Sequence, residues 1–355
     1  DLVEQMIRIA AGEPMTLSQD DVQADGWAIE CRLYAEDPFR GFMPSIGRLV
    51  RCKPPAQNEN VRVDTGVVEG SEITMYYDPM IAKLITKGQD RDGAIAAMQA
   101  ALDSYYVRGI NHNMSFLTAL ISHPRFVEGR LTTAFIDEEY PDGFTGAPRE
   151  GEILDALLAA GVLMHRRRAV RAGSIDGQLA HYRPTFGSDW VVGLDGENYE
   201  VTVASVEDGF DVDLGGRLIA VRSYWRPGER LFTGTVNGRH VAVQADVAAA
   251  GFLLRHGGVE ANVTVRRPRA AELAALMPHK APPDTSKYLL CPMPGLIVSL
   301  AVEEGEEVKA GQALAVVEAM KMENILRAER DGAVAALKAG PGDSLAVDDV
   351  IMEFE

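Results

Sequence analysis

Cysteine is scarce: Cys31, Cys52 and Cys291 are the three thiols among 355 residues. So few, so far apart, they form neither a disulfide framework nor a Cys-rich metal site, and they point to a reducing compartment. No stretch of roughly 18 uncharged apolar residues occurs, so no helical membrane span is expected. Positive charge is short as well, because 35 Lys and Arg face 52 Asp and Glu, a net −17. A general nucleic-acid binder needs the opposite balance, since phosphate contacts require cations. The 34 glycines and 18 prolines follow no period, which excludes a collagen-like chain. No signal peptide is expected in the opening residues. The opening Asp1-Leu-Val-Glu-Gln-Met-Ile-Arg-Ile-Ala10 reads as mid-helix and does not start with Met, so a preceding segment is expected.

What is present suits a globular protein of two or three domains, with 46% hydrophobic and 25% charged residues. The alternation in Trp27–Tyr34 puts Trp27, Ile29, Cys31 and Leu33 on one face of a strand, and Glu30, Arg32 and Tyr34 on the other. Further strands are expected at 47–53, 61–67 and 81–87. Ile95, Met98, Leu102 and Tyr105 make the apolar stripe of a helix over 90–106, and a second helix is expected at 114–121. The turn-rich stretch 140–148 closes this α+β region, taken as 1–145.

A second unit, 150–268, opens with a helix from Glu152 to about Arg168. Between Ile153 and Met164 it carries one charge, Asp155, so it must be enclosed by protein. His165-Arg-Arg-Arg168 reads as a solvated last turn complementing the helix dipole, in preference to a phosphate or nucleic-acid patch. Eight short strands follow, at 189–193, 198–205, 209–214, 217–224, 230–236, 239–246, 251–255 and 259–266. Asp195-Gly196, Asn237-Gly238 and Gly257-Gly258 mark hairpins. The simplest joint solution is an antiparallel β-barrel wrapped around the apolar helix. A proline-bearing linker, 269–287, leads to a last unit at 288–355.

That unit contains a repeat. Gly295-Leu-Ile-Val is echoed by Gly332-Ala-Val-Ala, Gly305 by Gly342, and Leu314-Ala-Val-Val by Ile351-Met-Glu-Phe, each pair 37 positions apart. Two copies of one β-rich half imply a small quasi-two-fold β-sandwich. Between the copies lies Glu318-Ala-Met-Lys-Met-Glu-Asn324, which puts Lys321 on an exposed hairpin flanked by Met320 and Met322. Polarizable thioethers there suit transient docking into other proteins.

Ala319-Met-Lys-Met322, with Pro292-Met-Pro-Gly295 ahead of it, resembles the biotin carboxyl carrier domains. The resemblance implies biotin in amide linkage to Lys321, between Met320 and Met322, and a biotin protein ligase as the modifying partner. Lipoyl domains share fold and hairpin but typically carry Asp-Lys-Ala at the tip. Glu30-Cys-Arg-Leu-Tyr-Ala-Glu-Asp-Pro38, Pro44-Ser45, Tyr76-Tyr-Asp-Pro-Met80 and Lys83-Leu-Ile85 resemble the C-terminal subdomain of ATP-grasp biotin carboxylases over roughly residues 1–140. That likeness implies that Arg32 meets the biotin ureido oxygen and stabilises its enolate, with Asp78 and Tyr77 in the same pocket. The residue-level alternative is a strand arginine pairing Glu30 or Glu36.

The family's ATP loop, metal-binding glutamates and bicarbonate site have no counterpart here. The MgATP and bicarbonate chemistry is thus expected of a longer subunit. The helix and barrel resemble the partner-binding domain of acyl-CoA carboxylase α subunits, which docks a carboxyltransferase β subunit that binds the acyl-CoA. The overall pattern looks most like the propionyl-CoA carboxylases, then the methylcrotonyl enzymes. The expected reaction is carboxylation of biotin, then carboxyl transfer by the β subunit to give methylmalonyl-CoA. Either the bacterial cytoplasm or the mitochondrial matrix would suit, with no nucleic-acid or membrane partner. Two other classes stay open on the residues alone, a lipoyl-type carrier and a non-catalytic assembly module.

Overall fold

The structure, a computed structural model, describes residues 1–174, 177, 185–278, 287–320 and 322–355. In the N-terminal region, helix α1 (Leu2–Ala10) precedes β1 (Trp27–Tyr34), β2 (Val61–Thr65) and β3 (Met80–Gly88). These strands form an antiparallel sheet in the order β1-β3-β2, with Cys31 opposite Leu84 and Arg32 opposite Lys83. The expected alternation holds where the sheet is covered: Cys31 and Leu33 are buried while Glu30 and Arg32 face out. Helix α2 (Arg91–Ser104) starts where Asp90 accepts the Gly93 N–H at 2.8 Å, a side-chain N-cap. Its stripe of Ile95, Met98 and Leu102, continued by Tyr105, is buried against the sheet beside α3 (Met114–Ser122).

Helix α4 (Gly151–Ala172) runs through the barrel formed by β4 (Asp189–Leu194), β5 (Glu197–Val206), β6 (Gly209–Leu214), β7 (Arg217–Arg222), β8 (Leu231–Val236), β9 (Arg239–Ala248), β10 (Gly251–His256) and β11 (Val259–Arg266). Neighbours pair antiparallel throughout, and β4 closes on β11 with Val192 opposite Val265. Leu157, Leu158, Leu163 and Met164 of the helix are fully enclosed by Val192, Val212, Ile219, Phe232, Val243, Leu254 and Val263 of the wall. Each large apolar side chain so buried contributes roughly 1.5–3 kcal/mol. Gly161 sets the closest approach, since a Cβ there would lie 2.6 Å from Val263 Cγ1. The turn pairs Asp195-Gly196, Asn237-Gly238 and Gly257-Gly258 all adopt positive φ, as two-residue hairpins with this twist require.

The arginine run departs from the sequence expectation. α4 continues to Ala172, so Arg166–Arg168 do not form its last turn. Arg166 is buried, with its guanidinium over the rings of Phe186, Trp190 and Phe210. Arg167 donates to the Trp225 carbonyl at 2.6 Å and to that of Ser223, while Arg168 lies over Phe252. The delocalised cation stacks on aromatic faces that a dipole argument does not consider. These arginines stopper one end of the barrel.

Asp246 on β9 joins barrel to N-terminal region. Its carboxylate accepts from Arg108 Nε at 2.6 Å, from Arg255 Nη1 at 2.8 Å and from the Tyr106 hydroxyl. Helix α5 (Pro268–Ala275) lies against β4 and β11, within the first part of the expected linker. Residues 279–286 of the expected linker lie outside the described residues. No helix among the described residues is long and apolar enough to cross a membrane.

The C-terminal unit comprises β12 (Tyr288–Leu290), β13 (Gly295–Leu300), β14 (Glu307–Val308), β15 (Ala313–Ala319), β16 (Met322–Arg327), β17 (Gly332–Leu337), β18 (Ser344–Leu345) and β19 (Val350–Phe354). Two sheets form, in the orders β12-β19-β17-β14 and β16-β15-β13-β18. A shift of 37 positions carries each strand of one sheet onto its counterpart in the other, so the repeat is a structural two-fold. Core positions obey it as well: Ile297 and Val334, Leu314 and Ile351, Ala315 and Met352 are all buried.

Candidate functional site

β15 and β16 form a hairpin whose last pair is Ala319↔Met322, so two positions separate the strands. Lys321 itself lies outside the described residues. Its neighbours differ sharply. Met320 has φ +50°, in the left-handed region, and is 6% exposed; Met322 is 43% exposed. Met320 is buried among the apolar residues of the N-terminal region, in the cluster that holds Leu33, Ile73 and Leu84. Its N–H donates to the Met75 carbonyl at 2.7 Å. Nearby, Arg40 Nη2 donates to the Pro292 carbonyl at 2.7 Å. The sandwich is therefore seated on the N-terminal region, tip first.

The seat adjoins the other expected residues. Tyr76 and Tyr77, directly after Met75, are exposed. Asp78 accepts the Met80 N–H at 2.8 Å, and the Ala35 N–H donates to the Pro79 carbonyl at 2.9 Å, which ties this loop to the end of β1. Arg32 stands two residues earlier than Tyr34, whose register partner is Met80. Tyr77 and Asp78 thus lie just beyond the end of the β1–β3 pair, close in sequence to Met75 of the hairpin's seat, whereas Arg32 sits within the pair opposite Lys83.

Arg32 Nε bonds Glu30 at 3.0 Å, which is the residue-level alternative realised. Both side chains are substantially exposed, so the pair is weak and leaves the guanidinium reachable. Hydrogen bonds to Glu30 and then Tyr34 hold the guanidinium above its ordinary pKa range. Burial pushes the Glu36 carboxyl up, and the negative charge of Asp78 adds to this. The Glu36 and Asp78 carboxyl groups are therefore close enough to act on each other, while the exposed Arg32 guanidinium is paired with Glu30. An exposed donor fork of this kind suits an oxygen that gains negative charge.

Sequence reasoning missed Arg40, Met75 and Pro292 as a contact. Arg40 and Pro292 are 252 positions apart, and neither periodicity nor spacing links them.

Family comparison divides the chain along the same features. Residues 30–138 match the biotin carboxylase C-terminal domain, 157–280 the propionyl-coenzyme A carboxylase BT domain, and 287–354 the biotin-requiring enzyme family. A propionyl-CoA carboxylase alpha chain of Ruegeria pomeroyi is 52% identical across 100% of this chain and 55% of the relative. Along its whole length the chain is thus similar to propionyl-CoA carboxylase alpha chains. The human mitochondrial propionyl-CoA carboxylase alpha chain is 37% identical over 100% of this chain and 50% of its own length. The mitochondrial methylcrotonoyl-CoA carboxylase alpha subunit of rice is 30% identical over 97% and 51%. Among solved structures, the biotin carboxylase domain of a thermophilic 2-oxoglutarate carboxylase bound to bicarbonate is 40% identical, covering 39% of this chain and 31% of that one, with a TM-score of 0.38. The chain spans about half the length of the curated relatives it matches. Its relatives are bacterial and mitochondrial.

The residues fit biotin. A two-position turn between matched halves suits a tethered group, and Tyr76 and Tyr77, next to its seat at Met75, are exposed.

Proposed function

We propose that this chain supplies the biotin-bearing arm and part of the carboxylation site of a propionyl-CoA carboxylase. Lys321 is the attachment point, and its ε-amine forms the amide with biotin. Biotin then contributes a ureido nitrogen able to accept and release a carboxyl group. Met320 and Met322 frame the attachment point. Arg32 faces the ureido oxygen, and Tyr77 and Asp78 line the same pocket. A guanidinium is permanently charged with several donors, so it stabilises negative charge growing on that oxygen.

In this reading, residues 1–145 complete a biotin carboxylase domain and 150–268 dock the carboxyltransferase β subunit, which binds the acyl-CoA. Residues 269–287 act as linker and 288–355 as carrier. MgATP and bicarbonate are handled by the longer subunit, and biotin protein ligase loads the lysine. A reducing compartment, bacterial cytoplasm or mitochondrial matrix, suits the free thiols of Cys31, Cys52 and Cys291.

The hairpin seated on the N-terminal region, with Ala319 and Met322 closing it, carries this reading. The test is peptide mass spectrometry and avidin blotting of the full-length subunit, wild type and Lys321→Ala. Biotin on Lys321 is expected, together with loss of carboxylation and retained assembly in the variant. Lipoate on that lysine, or unchanged turnover in Lys321→Ala, would overturn the reading. Deleting 150–285 should abolish co-purification with the β subunit, and retained binding would remove the barrel as dock.

A further inference from the structure

The two methionines beside Lys321 are neighbours in sequence but sit in different environments. Met320 is 6% exposed and buried with the core of the N-terminal region, whereas Met322 is 43% exposed on β16. The sandwich's own core does not include Met320. Its left-handed backbone, φ +50°, is the one the first residue of a two-position hairpin turn adopts. What ties it to the N-terminal region is the 2.7 Å bond from Met320 N–H to the Met75 carbonyl and the burial of its side chain there. A second bond of 2.7 Å, from Arg40 to Pro292, grips the sandwich at a separate loop. Pro292 lies beside Cys291 and Met293, which are buried in the sandwich core, so that carbonyl is rigidly presented.

We propose that Arg40 and Met320 form a two-point clamp that parks the carrier on the N-terminal region, and that the methionines divide their work. Met320 is the plug for this station, while Met322 stays outward and takes no part in the clamp. The inference deepens the carrier reading above and rests on it for its purpose, although the clamp itself is a contact between two surfaces of one chain. Two points are needed because one hydrogen bond leaves rotation free, whereas a plug and a distant bond fix the orientation of the tip. Neither point needs to be strong. A tethered unit has a high effective concentration, so a weak contact suffices to hold it and still lets it leave. Burial of a side chain the size of Met shifts such an equilibrium by roughly tenfold or more.

Methionine oxidation reads the clamp directly, because sulfoxide formation follows exposure. The full-length subunit is treated with dilute hydrogen peroxide and sulfoxide is quantified at each methionine by peptide mass spectrometry. Met322 should oxidise on the order of tenfold faster than Met320. Arg40→Ala should accelerate Met320 toward the Met322 rate, and Arg40→Lys should restore part of the protection. Deuterium exchange adds a second readout. Met320→Ala should speed exchange in peptides covering 72–78 and 290–295, with Met320→Leu close to wild type because volume is retained. Exchange within β15 and β17 serves as the check that the sandwich remains folded. Equal oxidation of the two methionines in the wild type would overturn the proposal. So would an Arg40→Ala variant that leaves Met320 protected, or a Met322→Ala variant that loosens 72–78 as much as Met320→Ala. The mass of the Lys321 peptide, read in the same digests, reports the carrier assignment separately, so failure of one is distinguishable from failure of the other.

Discussion

Asp246→Asn tests whether the seam between the N-terminal region and the barrel is an electrostatic weld. Asp246 faces Arg108 at 2.6 Å, Arg255 at 2.8 Å and Arg230 at 3.5 Å. Arg108 arrives from the N-terminal region and stacks on Tyr106, while the other two arginines belong to the barrel. Asp246, Arg108 and Arg255 are 21%, 17% and 22% exposed, between the buried and surface limits. Removing one partner of a fully buried pair costs roughly 3–5 kcal/mol, against about 0–1 kcal/mol at a surface. An intermediate loss of about 2–3 kcal/mol is therefore expected. Asparagine keeps one acceptor oxygen but removes the charge that offsets the guanidinium groups.

The assay is urea unfolding of the chain, with a double-mutant cycle across the seam using Asp246→Asn and Arg108→Met. A coupling energy of about 1–3 kcal/mol is expected for residues in direct contact. Strictly additive losses, or a single-mutant loss below about 0.5 kcal/mol, would refute the weld. Acid should act in the same direction. Burial pushes the Asp246 carboxyl up, but the bonds from Tyr106 and Arg108 and the charges of Arg108 and Arg255 outweigh it, so its pKa lies below the ordinary 3.8. That contribution is present above the unfolded value and is lost as pH falls through the folded one.

Leu163→Ala should cost roughly 2–5 kcal/mol in denaturant unfolding, because Leu163 is fully enclosed where the helix meets the barrel wall. A loss under 1 kcal/mol would show that the barrel collapses onto the gap. Gly161→Ala should cost roughly 1–3 kcal/mol by crowding Val263, and Val263→Ala in the same chain should recover part of it. His256 has the opposite pH signature from Asp246. Burial lowers its pKa, but the charge and hydrogen bond of Asp103, 2.9 Å away, outweigh this and raise it above 6.5. Its contribution is complete below the unfolded pKa and disappears as pH rises through the folded value. Melting from pH 6 to 9 should accordingly show a falling limb that His256→Gln flattens, and an identical limb in the variant would exclude His256. Arg32→Ala in the complete subunit should slow biotin carboxylation by roughly 10²–10³-fold, as loss of an oxyanion donor does. A change below threefold would take Arg32 out of the site.

Much of this was legible along the chain because it depends on short-range rules. Alternation and positive-φ turn pairs mark the barrel strands one hairpin at a time, and a 22-residue helix with an apolar middle has to be enclosed. A 37-position repeat makes one half of the sandwich a copy of the other, so the quasi-two-fold and the connecting hairpin follow without tertiary information, while the strand order does not. Lys321 belongs to this class as the proposed attachment point, since its motif falls at the junction of the two copies in the sequence.

What lay beyond the sequence is what two surfaces decide together. Arg166 to Arg168 look solvated until Phe186, Trp190, Phe210 and Phe252 are brought over them from other strands. Asp246 is one acidic residue among many until the seam gathers arginines around it. Met320 and Met322 are the same residue type one position either side of Lys321, and only the docked surface buries one and exposes the other. Periodicity and turn chemistry act within a few residues and can be read from a string of letters. Burial, stacking and charge pairing depend on distance in space, and packing of remote segments sets that distance.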